Sequence, residues 1–203
     1  FALMFFQQFS GINAVILYTS DIFTSAGANL DAKTAAIIVG AFQAVATFVS
    51  SLVIDKLGRK ILLFVSSLVM ALSSFILAIF FTLKSRSSID DDVLNEIGFI
   101  PIVSLCVFVV VFSIGLGPIP WMISSEIFTP EIKSVASSAA GTFNWFLAFL
   151  VTKFYLQVNE AVGEDSTFYA FSVMSLFSGL FVYWVVPETK GKTVEQVQEE
   201  LER

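Results

Sequence analysis

The chain has 203 residues, of which 56% are hydrophobic and only 14% charged, with a formal net charge of −6. Soluble domains usually carry about a quarter charged residues, so this composition excludes an ordinary soluble globular protein. The acidic balance argues against nucleic-acid binding. The chain has no histidine and one cysteine, Cys106. That excludes an internal disulfide and argues against zinc sites, so we expect no catalytic residue, metal ligand or cofactor.

Long uncharged runs separated by charged clusters dominate the sequence. A helix that crosses the hydrocarbon core of a bilayer needs about 20 apolar residues, and six runs come near that length. They cover residues 1–20, 35–54, 61–83, 97–125, 134–152 and 166–186. The runs neither alternate nor are short enough for barrel strands. Buried helices of a large soluble protein are the alternative, which six runs of this length disfavour. The sequence predicts an all-α membrane protein with six transmembrane helices.

The first span carries an unusual concentration of amides. Gln7, Gln8 and Asn13 lie in an otherwise apolar run that begins at Phe1, and we expect the start of this helix to be truncated. On a regular helix Gln8 and Asn13 point about 140° apart. A local break at Gly11 would let them converge on a cavity. The alternative is that they join neighbouring helices by hydrogen bonds.

The second span contains one amide, Gln43, for which ligand binding and interhelical bonding both stay open. A short charged turn follows. Asp55 at a helix end and Arg59 beyond Gly58 are placed to pair. Glu126 and Glu131, which follow the fourth span, are predicted on the same side of the membrane. A charge network there would latch that side shut and open as the protein changes conformation.

The fourth span is interrupted by two prolines. Pro118 and Pro120 lack backbone donors, and Gly115 and Gly117 flank them. Irregular backbone at membrane depth is tolerated where it is buried in protein or lines a cavity. Trp121, directly after the break, offers a flat apolar face and an N–H donor, which suits a sugar ring. The alternative is an aromatic residue at the membrane interface.

The last two spans add one more polar candidate. Asn144 lies in the middle of the fifth span, where a lining role and interhelical bonding compete. In the sixth span Tyr183 and Trp184 fit an interface belt. No carboxylate lies deep inside any run. The chain therefore shows no coupling site for protons or sodium, and if it transports a solute, facilitated transport is favoured.

Lysine and arginine are distributed unequally between the two sides. The loops after spans two and four and the tail hold seven: Lys56, Arg59, Lys60, Lys133, Lys190, Lys192 and Arg203. The other loops hold four: Lys33, Lys84, Arg86 and Lys153. The positive-inside rule then predicts a cytoplasmic C-terminus. We divide the chain into a bundle of residues 1–186 and a tail of residues 187–203, with a short amphipathic helix over residues 193–203.

Four motifs, in order along the chain, carry a family resemblance. They are Gln7-Gln8-Phe9-Ser10-Gly11-Ile12-Asn13, Asp55-x-x-Gly58-Arg59-Lys60, Gly117-Pro118-Ile119-Pro120-Trp121 with Glu126, and Pro187-Glu188-Thr189-Lys190-Gly191. With them the chain resembles the C-terminal half of the sugar porters of the major facilitator superfamily. It looks most like insect facilitated trehalose and hexose transporters. The resemblance implies six helices of a fold built from inverted three-helix repeats, and a missing N-terminal six-helix half as partner.

The resemblance also implies roles for particular residues. It implies that the sugar-binding residues are Gln7, Gln8, Asn13, Trp121 and Asn144, with Gln43 where many members carry asparagine. It places Asp55, Arg59 and Glu126 in an intracellular salt-bridge network. The expected function is facilitated, alternating-access transport of a neutral mono- or disaccharide, such as trehalose or glucose, across the plasma membrane. The alternatives are a proton-coupled sugar symporter and a sugar sensor of the same fold that does not transport.

Overall fold

The computed structural model describes residues 1–27, 31–85 and 97–201 of the chain. The predicted acidic loop, with Arg86, Asp90, Asp91, Asp92 and Glu96, and the terminal Arg203 lie outside the described residues. Within them the structure consists of ten helices and no strand. They are α1 (Ala2–Phe9), α2 (Ile12–Leu17), α3 (Thr19–Ala26), α4 (Ala32–Leu57), α5 (Arg59–Ser85), α6 (Ile100–Ile114), α7 (Ile119–Glu126), α8 (Pro130–Val162), α9 (Glu164–Val185) and α10 (Val194–Leu201).

The all-α membrane fold predicted from the sequence is confirmed. Five helical stretches of the described residues are long and apolar enough to cross a bilayer. They are α4, α5, α6 together with α7, α8 and α9. A shorter apolar stretch, Ala2–Leu17, corresponds to the first predicted span. Three of the six predicted spans, 35–54, 61–83 and 134–152, lie inside longer helices, because these helices continue past the apolar core into polar ends.

The first span is broken into three short helices rather than forming one. Gly11 separates α1 from α2 with a left-handed backbone, φ +87°. A side chain at this position would collide with the ring of Phe171 on α9, so glycine meets a conformational and a packing requirement together. The break that the sequence predicted at Gly11 is present. The helical path then continues through α3 to Ala26, beyond the predicted end at residue 20.

The fifth predicted span lies inside a much longer helix. Residues 134–152 were expected to stop at Lys153, but α8 runs from Pro130 to Val162 without interruption. The Lys153 ammonium lies 5.3 Å and 5.5 Å from the ring centres of Phe149 and Phe154. A long lysine stem can lie along apolar surface while its charge reaches the interface, so one lysine does not end a helix.

A seam of small residues joins α5 and α9 at the centre of the bundle. The hydroxyls of Ser67 and Ser178 lie 3.1 Å apart, and Ser172 donates to the carbonyl of Ala71 at 2.7 Å. All three serines are buried. Small side chains let two membrane helices approach closely and pair their polar groups. By contrast, α4 and α8 are the least buried of the long helices.

The tail folds back from the last span. Val186 adopts an extended conformation before Pro187, as expected for a residue that precedes proline, and this ends α9. The predicted amphipathic helix is present as α10. Thr193 and Gln196 form a reciprocal cap at its start, with N···O distances of 3.1 Å and 3.5 Å. The side chain of Gln198 donates to the carbonyl of Ile127 at 3.1 Å, so the tail is held against the end of α7.

Candidate functional site

One cavity of about 640 Å³ collects the polar residues that the sequence singled out. It is lined by all six predicted binding residues: Gln7 and Gln8 of α1, Asn13 of α2, Gln43 of α4, Trp121 of α7 and Asn144 of α8. Its size falls within the range of small-molecule sites, about 300–1,000 Å³. Residues far apart in the chain thus meet around one opening between four spans.

The amides form a continuous hydrogen-bonded chain. Asn144 Nδ2 donates to Gln7 Oε1 at 2.6 Å, and Gln8 Nε2 donates to Asn144 Oδ1 at 2.9 Å. Asn13 Nδ2 in turn donates to Gln8 Oε1 at 2.5 Å. Gln7, Gln8 and Asn144 are all buried, whereas Asn13 at the end of the chain is half-buried. The left-handed turn at Gly11 brings Gln8 and Asn13 together, although a regular helix would point them apart.

An aromatic face completes the polar wall. Trp121 remains 39% exposed inside the bundle. Its ring lies against Gly141 of α8, where an added methyl group would come within 3.4 Å of Cζ3. A buried amide chain beside an accessible indole offers hydrogen bonds to hydroxyl groups and an apolar surface to C–H groups. This combination suits a neutral polyol.

Some residues that line the cavity were not predicted from the sequence. Thr47, Ser50 and Ser51 of α4 line the cavity together with Gln43. Their spacing of four, seven and eight residues from Gln43 is the signal for one face of a helix, and it would have identified them. Asp55, eight residues beyond Thr47, lines the same cavity and connects it to the charged turn.

The predicted charge pair is present and joins three elements. The Arg59 guanidinium lies 3.1 Å from Asp55 and 3.3 Å from Glu126. Thr189 of the tail donates to the second oxygen of Glu126 at 2.5 Å. The side chain of Glu126 is 29% exposed and that of Asp55 is 75% exposed, so the pairing of Arg59 with Glu126 is shielded from solvent more than the pairing with Asp55. Glu131, by contrast, is exposed at the start of α8.

Glu188 is a further member of this network that the sequence analysis missed. Its carboxylate accepts hydrogen bonds from the backbone N–H groups of Arg59 at 2.9 Å and Lys60 at 3.1 Å. It therefore caps the N-terminus of α5, where the helix dipole favours a negative charge. Gly58 allows this approach, because it has φ +90° and an added methyl group would lie 2.6 Å from Glu188 Oε2. We call Asp55, Arg59, Glu126, Glu188 and Thr189 the charge network.

No cluster of three or more histidine, cysteine, aspartate or glutamate side chains that could hold a metal occurs in the described ranges. The site is an amide-lined cavity with the charge network at one end. The fold is that of a helical membrane protein with several membrane-length apolar helices.

Comparisons with known proteins identify the family. The family model described as "Sugar (and other) transporter" matches residues 1–201. The facilitated trehalose transporters Tret1 of Anopheles gambiae and Apis mellifera ligustica are 45% and 42% identical to the chain over 98% and 97% of its length. The structure of the proton:xylose symporter XylE of E. coli, bound to 6-bromo-6-deoxy-D-glucose, superposes with a TM-score of 0.82, at 29% identity, over 98% of this chain.

The chain belongs to this sugar transporter family. The predicted resemblance to the sugar porters, and to insect trehalose transporters among them, is confirmed. The relatives named here are described as transporters. The chain spans 25% and 38% of the length of the two insect relatives and 41% of the symporter chain.

Proposed function

We propose that the protein containing this chain carries a neutral mono- or disaccharide, such as trehalose or glucose, by facilitated alternating access. The observation that carries the proposal is the cavity of about 640 Å³ with a buried amide chain and an accessible tryptophan. Two relatives more than 40% identical to the chain are named as facilitated trehalose transporters, which supports the same substrate class.

The proposed sugar site comprises Gln7, Gln8, Asn13, Gln43, Trp121 and Asn144. Asn13 and Gln8, at the exposed end of the hydrogen-bonded series of amides, would bind the hydroxyl groups of the sugar. Trp121 would lie against the apolar face of the sugar ring. A site built to bond hydroxyls discriminates strongly against analogues that lack them, because its own polar groups are then left unpaired. The opposite wall of the site would come from an N-terminal six-helix half of the full-length protein.

The charge network is proposed to close the cytoplasmic end of the cavity. We propose a cytoplasmic C-terminal tail, which the lysine and arginine distribution predicts. We also propose that the protein lies in the plasma membrane. The tail of residues 187–203 then forms a separate cytoplasmic segment, pinned to the bundle through Glu188 and Thr189. Rocking of the two halves would break these contacts when the cavity opens inward.

Uptake by proteoliposomes that contain the full-length protein tests the proposal. We expect saturable uptake of radiolabelled trehalose or glucose down its gradient, unchanged by a proton ionophore, because no carboxylate lies deep in the spans of this half. Loss of uptake with the ionophore would instead identify a proton-coupled symporter, as XylE is named. Sugar binding without any uptake would identify a sensor. Neither uptake nor binding of any sugar would overturn the proposed substrate class.

A further inference from the structure

A second, smaller cavity lies at the end of α8 that is farthest from the charge network. It measures about 240 Å³ and lies between α3, the last turns of α8 and the start of α9. We call it the acidic pocket. Its polar lining consists of Asp21, Ser25, Tyr155, Asn159, Glu160 and Glu164. None of these residues lines the cavity of the proposed sugar site, which we call the central cavity.

A contact between two spans lies between the two cavities. Along α8 the lining of the central cavity ends at Trp145, and that of the acidic pocket begins at Tyr155. Between them the hydroxyl of Tyr18 donates to the carbonyl of Thr152 at 3.2 Å. The ring of Tyr18 also stacks on the ring of Tyr155, with their centres 5.0 Å apart. The acidic pocket is therefore a separate space and not an extension of the central cavity.

Two buried polar atoms in the lining of the acidic pocket lack a partner. The hydroxyl of Tyr155 and Oδ1 of Asn159 make no hydrogen bond with any residue that the structure describes. Tyr155 is only 4% exposed, and its ring stacks on both Tyr18 and Phe171, so the side chain is held in place. A buried polar atom needs a partner, which is a ligand or water where the protein supplies none. Tyr155 and Asn159 are one helical turn apart, so one small group can reach both.

The partner that these two atoms lack must both accept and donate a hydrogen bond. The Tyr155 hydroxyl has a proton to donate, whereas the amide oxygen of Asn159 only accepts. A metal cation or an ammonium group pairs with the oxygen but cannot accept the tyrosine proton. The described carboxylates are also not grouped as a metal site requires. A hydroxyl group meets both needs, and the other carboxylates of the lining accept from further hydroxyl groups.

We propose that the acidic pocket binds a polyhydroxylated solute at a second site, with one hydroxyl group between Tyr155 and Asn159. Further hydroxyl groups of the solute donate to the carboxylates of Asp21, Glu160 and Glu164. This inference rests on the proposed function for the class of solute, a neutral sugar. It adds a place where the sugar is held outside the central cavity. Because the charge network is proposed to close the cytoplasmic end, this second site belongs to the outer side of the membrane.

Protection of a single cysteine by sugar tests the second site in the purified full-length protein. Leu156→Cys, in a protein whose other cysteines are replaced, places a thiol in the lining of the acidic pocket without removing a polar group. Val162→Cys is the matched control, because Val162 is exposed on the same helix and does not line this pocket. We expect trehalose or glucose to slow labelling by a water-soluble maleimide at position 156 and to leave position 162 unaffected.

Two further substitutions assign the protection to one of the two cavities. Tyr155→Phe removes only the hydroxyl and keeps the stacked ring. We therefore expect the sugar concentration that halves the labelling rate at position 156 to rise about two- to tenfold, as for the loss of one hydrogen bond. Asn144→Ala disrupts the central cavity and should leave that concentration unchanged.

Three results would overturn the inference. Labelling at position 156 that no sugar slows would show that water alone fills the acidic pocket. Protection that disappears with Asn144→Ala would assign it to the central cavity, and protection that Tyr155→Phe leaves unchanged would exclude the proposed contact. Sugar uptake without protection at position 156 would leave the proposed function standing. Protection at position 156 without any uptake would overturn only the proposed function.

Discussion

Replacing Asn144 with alanine in the full-length protein is expected to lower sugar uptake by about 10- to 100-fold. Asn144 is the centre of the amide chain, since it donates to Gln7 and accepts from Gln8. Its removal leaves two buried polar atoms, Gln7 Oε1 and Gln8 Nε2, without the partner that Asn144 supplied. Each unpaired buried group costs about 1–3 kcal/mol, and the two glutamines would then rearrange within the cavity.

Initial rates of radiolabelled uptake, corrected for protein at the cell surface, measure this effect. Gln157→Ala is the matched control, because Gln157 is an amide on the same helix and is exposed. It should transport at the rate of the unmodified protein. Uptake by the Asn144→Ala protein equal to that of the control would show that the amide chain has no part in transport.

Arg59→Ala is expected to reduce uptake by about tenfold. The guanidinium joins Asp55 and Glu126, and without it two carboxylates face each other near the end of the cavity. The contact with Asp55 contributes little, because Asp55 is 75% exposed and an exposed pair is worth under about 1 kcal/mol. The contact with the less exposed Glu126, which Thr189 also binds, accounts for the larger share of the expected loss.

Arg59→Lys should restore only part of the rate, because an ammonium group is a point charge and cannot reproduce the planar fork that bridges two carboxylates. Lys133→Ala removes one positive charge from an exposed position near the start of α8 and serves as the control. Equal rates for Arg59→Ala and Lys133→Ala would contradict a gating role for the charge network.

The fold was predictable from the sequence because membrane-length apolar runs leave few alternatives. The break at Gly11 and the interruption at Pro118 and Pro120 were also predictable, since glycine and proline act on the local backbone. Hydropathy could not give the end of α8, because Lys153 lies along aromatic rings without ending the helix.

Contacts between distant parts of the chain were beyond the sequence analysis. Glu188 caps a helix that begins 129 residues earlier, and no local pattern around it records that partner. Gln7 and Gln8 are adjacent and chemically identical, yet one is directed at a broken backbone and the other at Asn13. Only the packing of three spans distinguishes them. Residue type therefore predicted six of the side chains that line the cavity, but not how they share their hydrogen bonds.

Sugar protection of a single cysteine in the cavity tests most directly whether this opening receives the sugar. Thr47→Cys would be placed in a full-length protein whose other cysteines, including Cys106, are replaced, and labelled with a water-soluble maleimide. Val173→Cys, exposed on α9 outside the cavity lining, is the control. We predict rapid labelling at position 47 that trehalose or glucose slows, and none at position 173. Labelling at position 47 that proceeds at the same rate with and without any sugar would contradict the proposed site.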